Sequence, residues 1–211
     1  MRNIGKAKKE DAEGILKLYK SQLGEPFCAW DDGYPCEENI ADDLSRESLF
    51  IMKDGNGDIL AAISVDQDEN VENLTCWTPE LQPGAELSRL AVRLDLQNGG
   101  IAREMIRFGM DELRKRGKKS IHFLVNKANQ KAIRSYAPFH FHVVGECELY
   151  EQIFLCYEKE LWCQHAEKNL ANTPKKFLPT RRKISRLLKK LTGYRTKLEE
   201  EVWKKEILDN Q

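Results

Sequence analysis

LAVRLDLQNGGIAREMIRFGMDELRKRG, residues Leu90 to Gly117, closes an apolar run, passes through two adjacent glycines and opens an amphipathic stretch with no acidic residue before Glu104. Met105, Ile106, Met110 and Leu113 recur at helical spacing, and Gly117 stands where a left-handed residue ends a helix. A strand, a glycine turn and a helix start therefore meet within thirty residues. The first N–H groups of such a helix have no intrahelical partner and the helix dipole is positive there. Asn98, Gly99, Gly100, Ile101, Ala102 and Arg103 can aim backbone donors at an anion, with no Cβ at the glycines to hold it off. A pyrophosphate suits that arrangement; the plainer reading is a tight turn. The G-x-x-x-x-G-K-[ST] and G-x-G-x-x-G patterns are both missing, so neither common nucleotide-binding loop is spelled out.

Working outward, the N-terminal NIGKAKKEDAEGILKLY predicts a short strand and a helix N-capped by Asp11, with Ile15, Leu18 and Tyr19 on one face. CEENIADDLSRES predicts a second helix, and Asp54-Gly55-Asn56-Gly57 between two apolar runs predicts a hairpin. Later come a strand at AELSRLAV, the helix above, a strand at KSIHFLVN, a short helix stopped by Pro138, and a closing strand pair. The expected order is β α α β β β α β α β β, an α/β chain without repeats.

At this point the sequence resembles the GNAT superfamily of acyl-CoA-dependent N-acetyltransferases. Gln97-Asn98-Gly99-Gly100-Ile101-Ala102 is similar to its Q/R-x-x-G-x-G/A turn. HFLVNKANQKAIRSYAPFHFHVVGE is similar to its V-x-x-x-N-x-x-A-x-x-x-Y-x-x-x-G-F segment. About residues 1–161 are covered. The resemblance implies a mixed, mostly antiparallel sheet with flanking helices, whose fourth and fifth strands splay around acetyl-CoA. It implies that Leu90, Ala91 and Val92 pair with the pantetheine arm, that Asn98 to Arg103 hold the pyrophosphate with Gln97 also in the cofactor site, that Asn129 bonds the pantetheine or the nearby helix end, and that Tyr136 protonates the departing thiolate. The chemistry supports Tyr136 separately, since a phenol of pKa about 10 stays protonated at neutral pH; the alternatives are a packed aromatic for Tyr136 and a helix cap for Asn129. The glycine usual before the family's aromatic is His140 here.

An amine nucleophile must lose a proton, so a base is needed. The glutamate that some relatives carry five residues before the asparagine is Leu124 here. Glu86 is the substitute candidate and His122 a weaker one. The acceptor is expected near FCAWDDGYP and CWTPELQPG, where Trp30, Asp31, Asp32, Tyr34 and Trp77 would shape a pocket for a small cationic amine; ordinary loop anchoring is the alternative.

Composition bounds the rest. The chain has 211 residues, 41% of them hydrophobic and 32% charged, with no apolar run long enough for a membrane helix and no signal-like N-terminus. A cytoplasmic location is expected. Six cysteines show no C-x-x-C pair and no metal site is expected; they read as reduced, packed thiols, with Cys28 and Cys36 a weaker disulfide candidate. Zero net charge hides a division. Residues 164–211 hold 13 Lys/Arg against 6 Asp/Glu, net +7, leaving 21 against 28, net −7, for residues 1–163. An acetyltransferase-like domain over 1–163 and a basic linker with an amphipathic helical tail over 164–211 are expected. In the tail Ile184, Leu187, Leu188 and Leu191 form one stripe. Docking on the acidic domain or in a homodimer, an anionic membrane and nucleic acid are its three readings. The expected function is acetyl transfer from acetyl-CoA to a primary amine of a small molecule or peptide; the alternative is a non-catalytic CoA-binding module whose tail recruits a partner.

Overall fold

A computed structural model describes residues 2–161, except Phe27 and Gln67; the expected tail over 164–211 lies outside the described residues. The elements follow the expected order with one short addition. They are β1 (Asn3–Lys6), α1 (Ala12–Lys20), α2 (Glu37–Ser45), β2 (Leu49–Lys53), β3 (Ile59–Asp66), the added one-turn α3 (Glu69–Glu72), β4 (Glu86–Val92), α4 (Ile101–Lys115), β5 (Ser120–Asn126), α5 (Gln130–Tyr136), β6 (His142–Leu149) and β7 (Gln152–Glu160). One sheet runs β1-β2-β3-β4-β5-β7-β6. Every adjacent pair is antiparallel except β4 and β5. The mixed, mostly antiparallel sheet with flanking helices is therefore as expected. Among the described residues no helix is long and apolar enough to cross a membrane.

Alternation along β3 divides the core. Ala61, Ile63 and Val65 face a cluster with Met105, Ile106 and Leu113 of α4, while Ala62 faces Ile15, Leu18 and Tyr19 of α1 and Ile40 of α2. Successive strand residues point to opposite faces, so the sheet carries helices on both. The hairpin between β2 and β3 forms where the glycines predict it: Asp54 Oδ1 accepts from the N–H groups of Asn56 and Asp58, at 2.9 and 3.0 Å. Asp11 does not cap α1 with its side chain as expected. It ends a 3-10 turn, its Oδ2 accepts from the Lys8 N–H at 3.0 Å, and Lys53 pairs with its Oδ1.

Two irregularities position the site. The ladder between β4 and β5 is one residue pair long, Glu86 with His122. The other irregularity is in β4 itself. Ser64 faces Ser88 and Ala62 faces Ala91, so Arg89 and Leu90 both stand opposite Ile63. Arg89 takes φ +48°, the left-handed region. This bulge switches the strand's phase: Leu87 packs with α4 whereas Ala91, four residues on, packs with α1 and α2.

Candidate active site

Beyond the Glu86–His122 rung the parallel strands part, and their carboxyl ends open a notch, the place where ligands lodge in sheets of this kind. The loop after β4 brings the glycine turn to one side. Gly100 is the N-cap of α4 with φ +84°, and a Cβ built there meets nothing within 4 Å. The glycine thus serves a backbone shape that few side chains tolerate, and it leaves clear space before the free N–H groups of α4's first turn. Asn98 is also left-handed, at φ +65°, and Asn98, Gly99, Gly100 and Arg103 are exposed. Ile101 is buried and Ala102 half-buried, anchoring the turn on the core. These features suit an anion.

Gln97 and Val92 do other work as well. The Val92 carbonyl accepts from the side-chain amides of Gln22 and Gln97, at 3.3 and 3.2 Å. Gln97 Nε2 also donates to Gln22 Oε1, and Lys131 of α5 donates to Gln97 Oε1. Lys131 thereby ties the segment after β5 to the segment after β4 at the notch's open end. Leu90 packs with the α4 side and Ala91 with the α1 and α2 side.

On the β5 side, Asn129 caps α5. Its Oδ1 accepts from the Ala132 N–H at 2.9 Å, so the helix-cap reading is the one the geometry displays. Tyr136 ends that helix with its ring 4.3 Å from that of Phe123, the residue just past the last rung. Tyr136 therefore stands over the part of β5 that has left β4. None of the described residues hydrogen-bonds its hydroxyl. Burial pushes this phenol above its ordinary range, which keeps it a proton carrier at neutral pH. Next in line, His140 holds φ +54°, so the backbone keeps the left-handed shape natural to glycine although a histidine fills the position.

Glu86 is buried on β4, and its charge bears on both Tyr34 and Tyr150; each phenol is raised, chiefly by burial. His122 is wholly buried. Its Nε2 lies 2.9 Å from Glu72 Oε1, its ring stacks on Trp77 at 4.5 Å, and its Nδ1 has no hydrogen-bond partner. That packing removes His122 from direct contact with an acceptor.

The expected acceptor residues separate into two places. Trp30 makes edge contacts with Tyr19 and Tyr34, at 5.4 and 6.5 Å. Asp31 Oδ1 accepts from the N–H groups of Gly33 and Tyr34, and Lys20 bonds the Asp32 main-chain oxygen. Trp77 does not join them. It is buried with Val71 and Cys156, and its indole N–H donates to the Val71 carbonyl at 2.7 Å. No group of three or more His, Cys, Asp or Glu among the described residues is placed to hold a metal.

Residues 13–141 match the family model for acetyltransferases of the GNAT family. The chain belongs to the GNAT family. No curated protein sequence matches it at a significant level. Among solved structures it is similar to the ribosomal-protein-S18-alanine N-acetyltransferase of Escherichia coli, with 17% identity, a TM-score of 0.58, and coverage of 76% of this chain and 94% of that one. An N-acetyltransferase from Staphylococcus aureus Mu50 gives 21%, 0.60, 77% and 99%. A putative acetyltransferase from Salmonella typhimurium, solved with its cofactor acetyl-CoA, gives 17%, 0.61, 77% and 95%. At these identities the likeness concerns the fold.

This GNAT domain also contains a buried polar group that none of the sequence-based expectations includes. Asp43 of α2, wholly buried, accepts from Arg89 Nε at 2.9 Å and Nη2 at 2.7 Å and from the Ser64 hydroxyl. Arg89 Nη1 also donates to the Tyr34 hydroxyl at 3.1 Å, so the buried pair props the loop carrying Trp30 and Tyr34. Burial alone would lower the Arg89 pKa, but Tyr34 and Asp43 outweigh it and hold the guanidinium charged. Two sequence signals were available: a carboxylate three residues after Ile40 on an apolar helix face, and an arginine inside the apolar run ELSRLAV.

Proposed function

We propose that this GNAT domain transfers the acetyl group of acetyl-CoA to a primary amine of a small molecule or peptide. One observation carries the reading: the one-rung β4–β5 ladder opens a notch with the Gly100 helix start on one side and the Tyr136 ring on the other. The open space at Gly100 and the first-turn N–H groups fit a pyrophosphate, with Asn98 to Arg103 around it. The edge of Leu90, Ala91 and Val92 fits an extended pantetheine arm, although the Val92 carbonyl and Gln97 would first have to exchange their present partners. Bound acetyl-CoA supplies a thioester carbonyl open to attack.

Glu86 accepts a proton from the attacking amine, directly or through water, and Tyr136 gives its phenolic proton to the sulfur as the C–S bond breaks. An amide and a free thiol result, and the proton lost by the amine balances the one gained by sulfur once Tyr136 is reprotonated. Trp30, Asp31, Asp32 and Tyr34, on the α1 and α2 side with Glu86, favour a cationic acceptor.

The test is release of free thiol from acetyl-CoA with a panel of diamines, amino-acid amides and short peptides. Tyr136→Phe should lower kcat by about 10² to 10⁴-fold while acetyl-CoA binding changes little. Acetyl-CoA binding with no amine acetylated across the panel would favour the non-catalytic module.

A further inference from the structure

Away from the acetyl-transfer groups, three cysteines converge. In the β6–β7 ladder Cys156 stands opposite Gly145 and Cys147 opposite Phe154, so the two cysteines are diagonal neighbours on one face. Gly145 has no side chain, and Cys76, from the segment between α3 and β4, occupies the space above it. A Cβ on Gly145 would lie 2.8 Å from the Cys76 Cβ and 3.7 Å from its Sγ. Cys76 thus sits beside the position directly cross-strand from Cys156. Opposed residues hold their Cβ atoms about 4.5 to 5.5 Å apart. A disulfide needs about 3.5 to 4.5 Å, so the irregular segment of Cys76, whose Cβ lies 2.8 Å from the cross-strand position, has to settle toward Cys156 with side-chain rotation to close one. All three thiols belong to the cluster around Val71 and Trp77. Cys156 is fully buried, whereas Cys76 and Cys147 are half-buried and reachable.

We propose that Cys76 and Cys156 are a reversible redox pair, a modification site that closes to a disulfide on exposure to a hydroperoxide. Cys76, as thiolate, attacks the peroxide O–O bond; its sulfur takes one oxygen as sulfenic acid and the other leaves as hydroxide, which is protonated to water. The Cys156 sulfur then displaces the sulfenic oxygen, which leaves as a second water with the Cys156 proton. Two thiols have lost two electrons and hydrogen peroxide has accepted them. Half-buried Cys76 is the point of entry and fully buried Cys156 the resolving thiol, and burial pushes the Cys156 thiol up, which disfavours it as the first to react. The bond would pin the segment bearing Trp77, whose ring covers His122, onto β7.

The experiment treats reduced full-length protein with hydrogen peroxide, alkylates the remaining thiols and maps the unreduced peptides by mass spectrometry. A cross-linked Cys76–Cys156 peptide lighter by two hydrogens, lost on adding dithiothreitol and accompanied by a change in tryptophan emission, is expected. Cys76→Ser must abolish the cross-link and Cys147→Ser must retain it. Cys156→Ala repeats the test at the other partner, and if it fails to fold, the wild-type map and Cys76→Ser decide. Direct passage of Cys76 to sulfinic acid, a disulfide to Cys147, Cys28, Cys36 or Cys163 in its place, or no oxidation at all overturns the proposal.

Discussion

Asp43→Asn is the most informative perturbation of the buried pair, because it keeps the shape of the side chain and removes the charge. Asp43 is 0% exposed and Arg89 9% exposed, so water does little to screen what remains. The amide can offer Arg89 one oxygen in place of two, and its NH₂ meets the guanidinium donors head-on. Breaking a buried ion pair from one side costs about 3 to 5 kcal/mol, since the surviving charge stays desolvated. With a urea slope of about 2 kcal/mol/M, the midpoint should fall by about 2 M. The double variant Asp43→Leu/Arg89→Met, which removes both buried charges and keeps the half-exposed Arg46, should recover most of that loss. Tyr34 loses a fixed donor when Arg89 is released, so the acceptor KM should rise while the acetyl-CoA Kd stays within about twofold, below about 0.4 kcal/mol. A midpoint shift under about 0.5 M, about 1 kcal/mol on that slope, would refute the reasoning by showing that water reaches the pair.

Other outcomes follow from the same geometry. Gly100→Glu puts a carboxylate about 4 Å from the proposed pyrophosphate, a repulsion of about 4 kcal/mol at an effective dielectric of 20, so calorimetry should record about a thousandfold loss of acetyl-CoA affinity; unchanged binding by the folded variant removes the turn from the site. Burial raises the folded-state pKa of Tyr19 and Tyr136, so their contribution to stability is complete below the unfolded value near pH 10 and drains away as pH rises from there toward the folded values. Urea titrations between about pH 9 and pH 11.5 should show that decline, and Tyr19→Phe should flatten it; a pH-independent midpoint would sink the point. Deleting residues 174–211 should leave acetyl-CoA affinity within a few-fold and alter assembly, read by size exclusion with light scattering; identical assembly and melting in both forms would end the docking idea.

Much of this was readable in the sequence because local rules carried it. The Asp54 to Gly57 turn, the spacing of Met105, Ile106, Met110 and Leu113, and the Gly100 helix start each depend on residues within a few positions, and each stands where expected. Tyr136 stands out through the family pattern, which preserves pairings across distance that periodicity cannot see. The bulge at Arg89 escaped because its cause lies 46 residues away, in Asp43. Trp77 was grouped with Trp30 because both lie in aromatic, turn-rich loops; composition cannot tell which side chain finds a histidine to stack on. The partners of Gln97 are hidden likewise, since Gln22 reaches it from the turn after α1 and Lys131 from α5.

The single Glu86–His122 rung leaves a weak seam in the seven-stranded sheet, with four strands on one side and three on the other. Each block closes its own hydrogen-bond ladder, β1 to β4 on one side and β5, β7 and β6 on the other, and α4, in contact with β3, β4 and β5, is the splint laid across the seam. Partial opening is expected to follow that line, with the three-strand block exchanging its amides as one cooperative unit. An extended chain lodged in the seam, as the proposed pantetheine arm would be, would stand in for a missing strand, so the event that loads the domain would also fuse its two blocks into one body.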